Sequence, residues 1–100
     1  MKLRITDEAE QDLVEGARFY DTQSPGLGQY FLDTLFADIE SLRLHAGVHA
    51  RHFGHHRLLS RRFPYAVFYK IGSDEAVEVR AILDCRRNPS RIGDRLRRDR

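Results

Sequence analysis

Cysteine occurs once in the 100 residues, at Cys85. An internal disulfide is therefore excluded, and an apolar core has to hold the chain together. A single thiol suits a reducing compartment. A secretory leader is also missing: Met1–Ile5 runs straight into Asp7, Glu8 and Glu10, where a leader needs an apolar stretch. Long hydrophobic runs are absent too. Ala66 to Tyr69 is far too short to span a bilayer. No internal repeat and no linker divide the chain. These absences lead us to expect one cytoplasmic domain with no membrane segment.

What is present is a balanced globular composition, 41% hydrophobic and 32% charged, with a net charge of +2. That small net charge conceals an asymmetry. Residues 1–46 hold four Lys/Arg against nine Asp/Glu, and residues 47–100 hold thirteen against six. An acidic first half and a basic second half imply surfaces with different partners, the basic one facing nucleic acid, an acidic protein, or both. The plain alternative is a solvated surface.

Periodicity sets the element order. Lys2-Leu3-Arg4-Ile5 alternates as a half-buried strand does. Thr6 or Asp7 can cap a following helix, whose first turn is acidic. Ala9, Leu13, Gly16, Ala17 and Tyr20 then share one helical face, small enough to let a second helix approach. Ser24-Pro25-Gly26 marks a turn, and a second amphipathic helix is predicted from Gly28 to His45 on Phe31, Leu35, Ile39 and Leu42. Strand character follows over Arg57–Phe63 and Tyr65–Ile71. After the Gly72-Ser73-Asp74 turn, Val77, Val79, Ala81 and Leu83 alternate with Glu78, Arg80 and Ile82. The prediction is an α+β fold, β-α-α-β-β-β, with a helical hairpin on one face of an antiparallel sheet and much of the arginine on the other. Ser90–Arg100 reads as a polar tail, either a frayed helix or disordered until a partner binds.

Four segments carry a resemblance to a known family: Ala17-Arg18-Phe19-Tyr20; Ser24-Pro25-Gly26-Leu27-Gly28 with Phe31-Leu32; Arg61-Arg62-Phe63-Pro64-Tyr65 with Val67 and Tyr69; and Cys85-Arg86-Arg87-Asn88-Pro89. In this order and spacing, from about Leu3 to Leu96, the chain resembles the ParE/RelE superfamily of plasmid-stabilisation toxins, and ParE more closely than RelE. The resemblance implies a type II toxin over residues 1–90, followed by a basic tail at 91–100. It also implies a cognate antitoxin with a DNA-binding domain, encoded in the adjacent gene and held in a hetero-oligomer. ParE-like members are associated with poisoning of DNA gyrase, whereas RelE-like members cleave messenger RNA on the ribosome. A third possibility is an inactive binding module within an autoregulatory complex.

Metal-free RNA cleavage requires a base, cations for the phosphorane and an acid for the leaving oxygen. The RelE-like pattern supplies these from basic sheet residues and a C-terminal tyrosine. Here the arginine position after the aromatic that opens the central strand is Ala66. The tyrosine position falls near Gly93, and no Tyr follows Tyr69. Arg87 alone fits the set. His45, His49, His52, His55 and His56 are candidate bases, or simply a polar connection. Their spacing frames no zinc site, so no metal and no cofactor are expected.

The candidates for a target-binding face are Arg57, Arg61, Arg62, Arg86, Arg87 and Arg91, against the alternative that they pair with Asp74, Glu75, Glu78 or Asp84. On one strand Arg57 and Arg61 would share a face and Arg62 the other. Tyr65 and Tyr69 share parity with Val67 and read as core rather than as a stacking platform. Cys85 reads as a plain small residue.

Overall fold

The computed structural model of the chain describes residues 2–98. Its elements are β1 (Leu3–Ile5), α1 (Asp7–Gln23), α2 (Leu27–Glu40), α3 (Leu42–His45), β2 (Arg51–His52), β3 (His55–Leu59), β4 (Tyr65–Ile71), β5 (Val77–Asp84) and α4 (Pro89–Arg98). The sheet order is β1-β5-β4-β3-β2. All neighbours run antiparallel except β1, which pairs with β5 in parallel, Leu3 opposite Val77. The expected α+β sandwich is thus present, with a mixed sheet.

Thr6 caps α1 by accepting the Ala9 N–H at 3.2 Å, as a short hydroxyl before an acidic first turn should. The small stripe of α1 does bring α2 close. A Cβ on Gly16 would lie 2.6 Å from the Phe31 ring, and one on Gly28 would lie 2.5 Å from the Ala17 carbonyl. Tyr20, Phe31, Phe63 and Tyr65 then pack ring to ring, Tyr20 and Phe63 at 4.7 Å and Phe31 and Tyr65 at 4.9 Å. This cluster joins Leu13, Leu35, Ile39, Leu42, Val67, Tyr69, Val77, Val79 and Ile82 in the main core.

Four expectations need correction. The second helix does not run unbroken to His45: α2 stops at Glu40 and a single turn resumes at Leu42. The Ser41 hydroxyl donates to the Asp38 carbonyl at 2.6 Å and competes there with the helix. The strand expected over Arg57–Phe63 is shifted to His55–Leu59, which leaves Arg61 and Arg62 in the following turn. Upstream, Phe53 and Gly54 both have positive φ, 53° and 76°, and close a two-residue hairpin between β2 and β3.

The strict alternation read into β5 also fails. Tyr69 faces Val79 and Phe68 faces Ala81, so Arg80 is an extra residue, a bulge. Past it the parity inverts. Val77 and Val79 face the helical hairpin together with Ile82, while Ala81 and Leu83 face the other way. Finally, the second sheet face is not an arginine face. Ala66, Phe68, Ala81 and Leu83 form a small apolar core there, closed by Leu96 and Ile92 of α4. The described part of the expected tail, 91–98, therefore lies in a packed helix, and Asp99 and Arg100 lie outside the described residues.

Candidate functional site

The antiparallel hairpins put the β3–β4 turn and the end of β5 at the same end of the sheet. Tyr65 opposes Asp84, and the Cys85 N–H donates to the Pro64 carbonyl at 2.7 Å. Arg61, Arg62, Arg86 and Arg87, some in the β3–β4 turn and some just past β5, are thus brought to one basic rim at this end of the sheet, near Tyr65.

Within that rim the arginines are not equivalent. Arg86 grips Asp84 with Nε to Oδ1 at 3.0 Å and Nη2 to Oδ2 at 2.8 Å, and its backbone N–H donates to the same carboxylate. The Arg86 side chain holds the Asp84 carboxyl below its ordinary range, while partial burial works against it. Arg62 lies over the Tyr30 ring at 5.9 Å. With Arg61, Asp33, Asp38, His45 and His49 it lines a groove of about 710 Å³ between α2 and the end of β3. Arg87 is exposed and has no ion-pair or hydrogen-bond partner for its guanidinium among the described residues. It stands between two clefts, one of about 180 Å³ with Asp12, Glu15 and Tyr65, and one of about 300 Å³ with Arg91 and Ile92.

Arg57 does not join the rim. It opposes Phe68 and lies on the α4 side of the sheet. Burial raises the Cys85 pKa more than the Arg57 field lowers it, so the thiol is not activated. Arg91 lies on α4, exposed.

The histidines form a structural lock. Tyr69, fully buried, accepts the Gly47 N–H at 2.9 Å and the His49 backbone N–H. With both lone pairs occupied, the phenol proton goes to His49 Nδ1. His49 is thereby held as the neutral tautomer. Burial lowers its pKa first, then the fields of His56 and His45. His56 stacks on Tyr69 at 5.0 Å and donates from Nδ1 to the His49 carbonyl at 2.8 Å. His55 is buried and donates from Nδ1 to the Phe53 carbonyl at 2.9 Å. His49, His55 and His56 therefore pin the loop before β2 and the β2–β3 hairpin rather than converging on a reacting atom, and no group able to hold a metal ion is found among the described residues.

One structural position beside the site was not foreseen. Asp12 of α1 accepts the Ile82 N–H at 2.9 Å, just past the bulge, where β5 outruns the short β1. The same carboxylate takes both terminal nitrogens of Arg95 from α4. Asp12 sits three residues after Ala9 and four before Gly16, an acid within the buried stripe. That placement was the signal available in the sequence.

With this geometry in place, the comparisons with known proteins are direct. A family model described as the ParE toxin of type II toxin–antitoxin system, parDE, matches residues 3–89. No curated protein matches significantly. Among solved structures, one described as a chromosomal ParDE TA system from P. aeruginosa is similar, with a TM-score of 0.74 and 18% identity. The match covers 82% of this chain and 92% of that one.

Proposed function

The chain belongs to the ParE toxin family of type II toxin–antitoxin systems, and from that premise we propose that it restrains growth by acting on DNA gyrase and is neutralised by a cognate antitoxin. The observation that carries the gyrase reading over RNA cleavage is the closed second face of the sheet. Ala66 stands where the RelE-like pattern has a cation, and it is fully buried beside Phe68 and Leu96. Gly93, where that pattern has its tyrosine, is buried against the Phe53 ring. A nuclease needs several poised polar groups around a phosphate, and this face offers packing instead. The rim of Arg61, Arg62, Arg86 and Arg87 is then the working surface toward the target, with Arg57 and Arg91 on the α4 side.

The antitoxin has a place to bind that does not use this rim. Val14 and Phe36 are 40% and 48% exposed, and with Ile5, Leu13 and Leu32 they line an apolar groove of about 360 Å³ across α1 and α2. An amphipathic helix fits such a groove with its apolar face. The partner, encoded in the adjacent gene with its own DNA-binding domain, forms a hetero-oligomer with the chain in the cytoplasm.

Induction of the chain in cells, with plasmid supercoiling, the DNA-damage response and translation followed together, tests the reading. Gyrase inhibition gives damage signals and filamentation while translation continues at first. Cuts within codons and an early halt of translation overturn it in favour of ribosome-dependent cleavage. Unchanged growth overturns it in favour of an inactive binding module. Co-expression with the neighbouring gene product tests the antitoxin, and failure to co-purify overturns that part.

A further inference from the structure

Residues 85–98 carry six arginines against one acid, Asp94, and their ion pairs sort them. Arg86 is engaged by Asp84, and Arg97 by Asp94. Arg95 is held by Asp12 at 2.8 Å and by Glu8 at 3.3 Å. Arg98 reaches Glu8 only at 3.9 Å, with both side chains more than half exposed, so that pair contributes little. Arg87 and Arg91 have no ion-pair or hydrogen-bond partner for their guanidinium groups among the described residues.

Arg87, Arg91, Arg95 and Arg98 recur at spacings of four, four and three, which places Arg91, Arg95 and Arg98 on one face of α4 and Arg87 just ahead of it. They line a single concavity of about 300 Å³ with Leu83, Ile92 and Asp94. From Arg91 to Arg98 the row is about 10 Å long. Arg95 is its fixed post, since Asp12 locks it from the far side of the sheet edge.

We propose that this row docks on the phosphate backbone of duplex DNA. A duplex is a line of negative charge, about one per 1.7 Å of axis, and a linear row of guanidinium groups suits a charged line better than a single anion. The concavity suits a peptide less well. Its apolar floor is limited to Leu83 and Ile92. The nearby edge of β5 is also occupied: the Arg80 carbonyl accepts from Thr6 and Arg95, and Asp12 takes the Ile82 N–H. A strand added there would lack its main-chain partners at those positions. Such contacts position a protein on DNA without reading its sequence. The proposal rests on the reading that the basic end is the working surface, but its test contains no gyrase, so its failure leaves gyrase inhibition standing.

The experiment is a fluorescence-anisotropy titration of the full chain against a labelled duplex of about 20 base pairs and arbitrary sequence, from about 50 to 200 mM salt. Three neutralised phosphates give a log–log slope of about −2.7, or roughly a 40-fold loss of affinity across that range. Arg87→Ala/Arg91→Ala should weaken binding and bring the slope to about −1. Arg43→Ala, which removes one positive charge beside Glu40, away from the row, should leave the slope unaltered. Circular dichroism of each variant checks that it is folded, and Arg87→Lys/Arg91→Lys, which keeps both charges, should retain the parent slope. Three results would overturn the proposal: no binding at the lowest salt, a slope indifferent to Arg87 and Arg91, or displacement of the duplex by polyglutamate at equal charge. The last would mark the row as a surface for an acidic protein.

Discussion

Asp12 and Arg95 tie the two sides of the sheet together around its edge. Arg95 Nη1 and Nη2 meet the two carboxylate oxygens at 2.9 and 2.8 Å, with both side chains largely buried. Burial raises the Asp12 pKa more than Arg95 and the Ile82 N–H lower it. The pair is therefore a constraint on geometry more than a source of stability, as buried ion pairs often are.

Removal of one partner should cost far more than removal of both. Arg95→Met leaves a buried carboxylate without its cation and should lose about 3 kcal/mol, lowering Tm by roughly 12 °C or more. Asp12→Asn/Arg95→Met keeps an acceptor for the Ile82 N–H and should regain most of that loss. Thermal melts of the two variants decide the matter, and equal losses would mean that the pair itself is strongly stabilising. The pH response follows in sign. A carboxyl raised in the folded state favours folding when protonated, so Arg95→Met should gain stability as pH falls toward the carboxylate range and lose it as pH rises.

Acidification of the parent chain should act in two stages. The His49 pKa is lowered in the folded state, so its contribution is complete above the ordinary histidine value and is lost as pH falls through the lowered one. Protonation at Nδ1 turns the acceptor of the Tyr69 proton into a second donor. Asp84, also lowered, loses its contribution only below the ordinary carboxylate value. Histidine NMR titration with urea melts at several pH values should show the first loss below about pH 6.5, and His49→Gln should abolish that stage alone.

Arg87 should matter more to growth inhibition than to folding. Its guanidinium has no partner to lose, so Arg87→Glu should melt within about 3 °C of the parent and still bind antitoxin, yet lose most toxicity. The same change at Arg98 should be milder. Colony counts after induction, beside a melt, read both properties. Full toxicity of Arg87→Glu would remove the rim from consideration, and failure to fold would make Arg87 a structural residue.

Gly16→Ala should destabilise the helical hairpin. The new methyl would stand 2.6 Å from the Phe31 ring, and that ring is enclosed by Tyr20, Phe63 and Tyr65. Overpacking of this kind costs about 1–3 kcal/mol, which denaturant melts resolve easily. The reverse sign would mean that the aromatic cluster yields without strain.

The helical hairpin was legible because its spacing is regular and its small residues lie where two helices touch. The second sheet face was misread for a specific reason. Simple alternation placed Val77, Val79, Ala81 and Leu83 together, and only the extra residue at Arg80 separates the pairs onto two faces. One inserted residue inverts every later position, and no composition signal marks it. The tail stayed open between a frayed helix and disorder for a related reason. Ile92 and Leu96 make too short a stripe to separate a packed helix from a frayed or disordered one until the face that Leu83 helps to form is known. The arginine candidates were found by type, but only the ion pairs distinguish Arg86, which is engaged, from Arg87, which is not.

The position of β5 has a consequence for how the chain comes off the ribosome. Its partners are drawn from both termini, since Leu3–Ile5 pair with Val77–Val79 and Arg95 closes onto Asp12 across 83 positions of sequence. Contacts of such long range form slowly and late. At about 5–20 residues per second, several seconds separate the emergence of the first strand from that of its neighbour. Through that interval α1 and α2 are complete but have no β5 to cover them. A nascent chain halted before Val77 has no edge for Leu3–Ile5 to join, so the native sheet forms only after Val77–Asp84 has emerged.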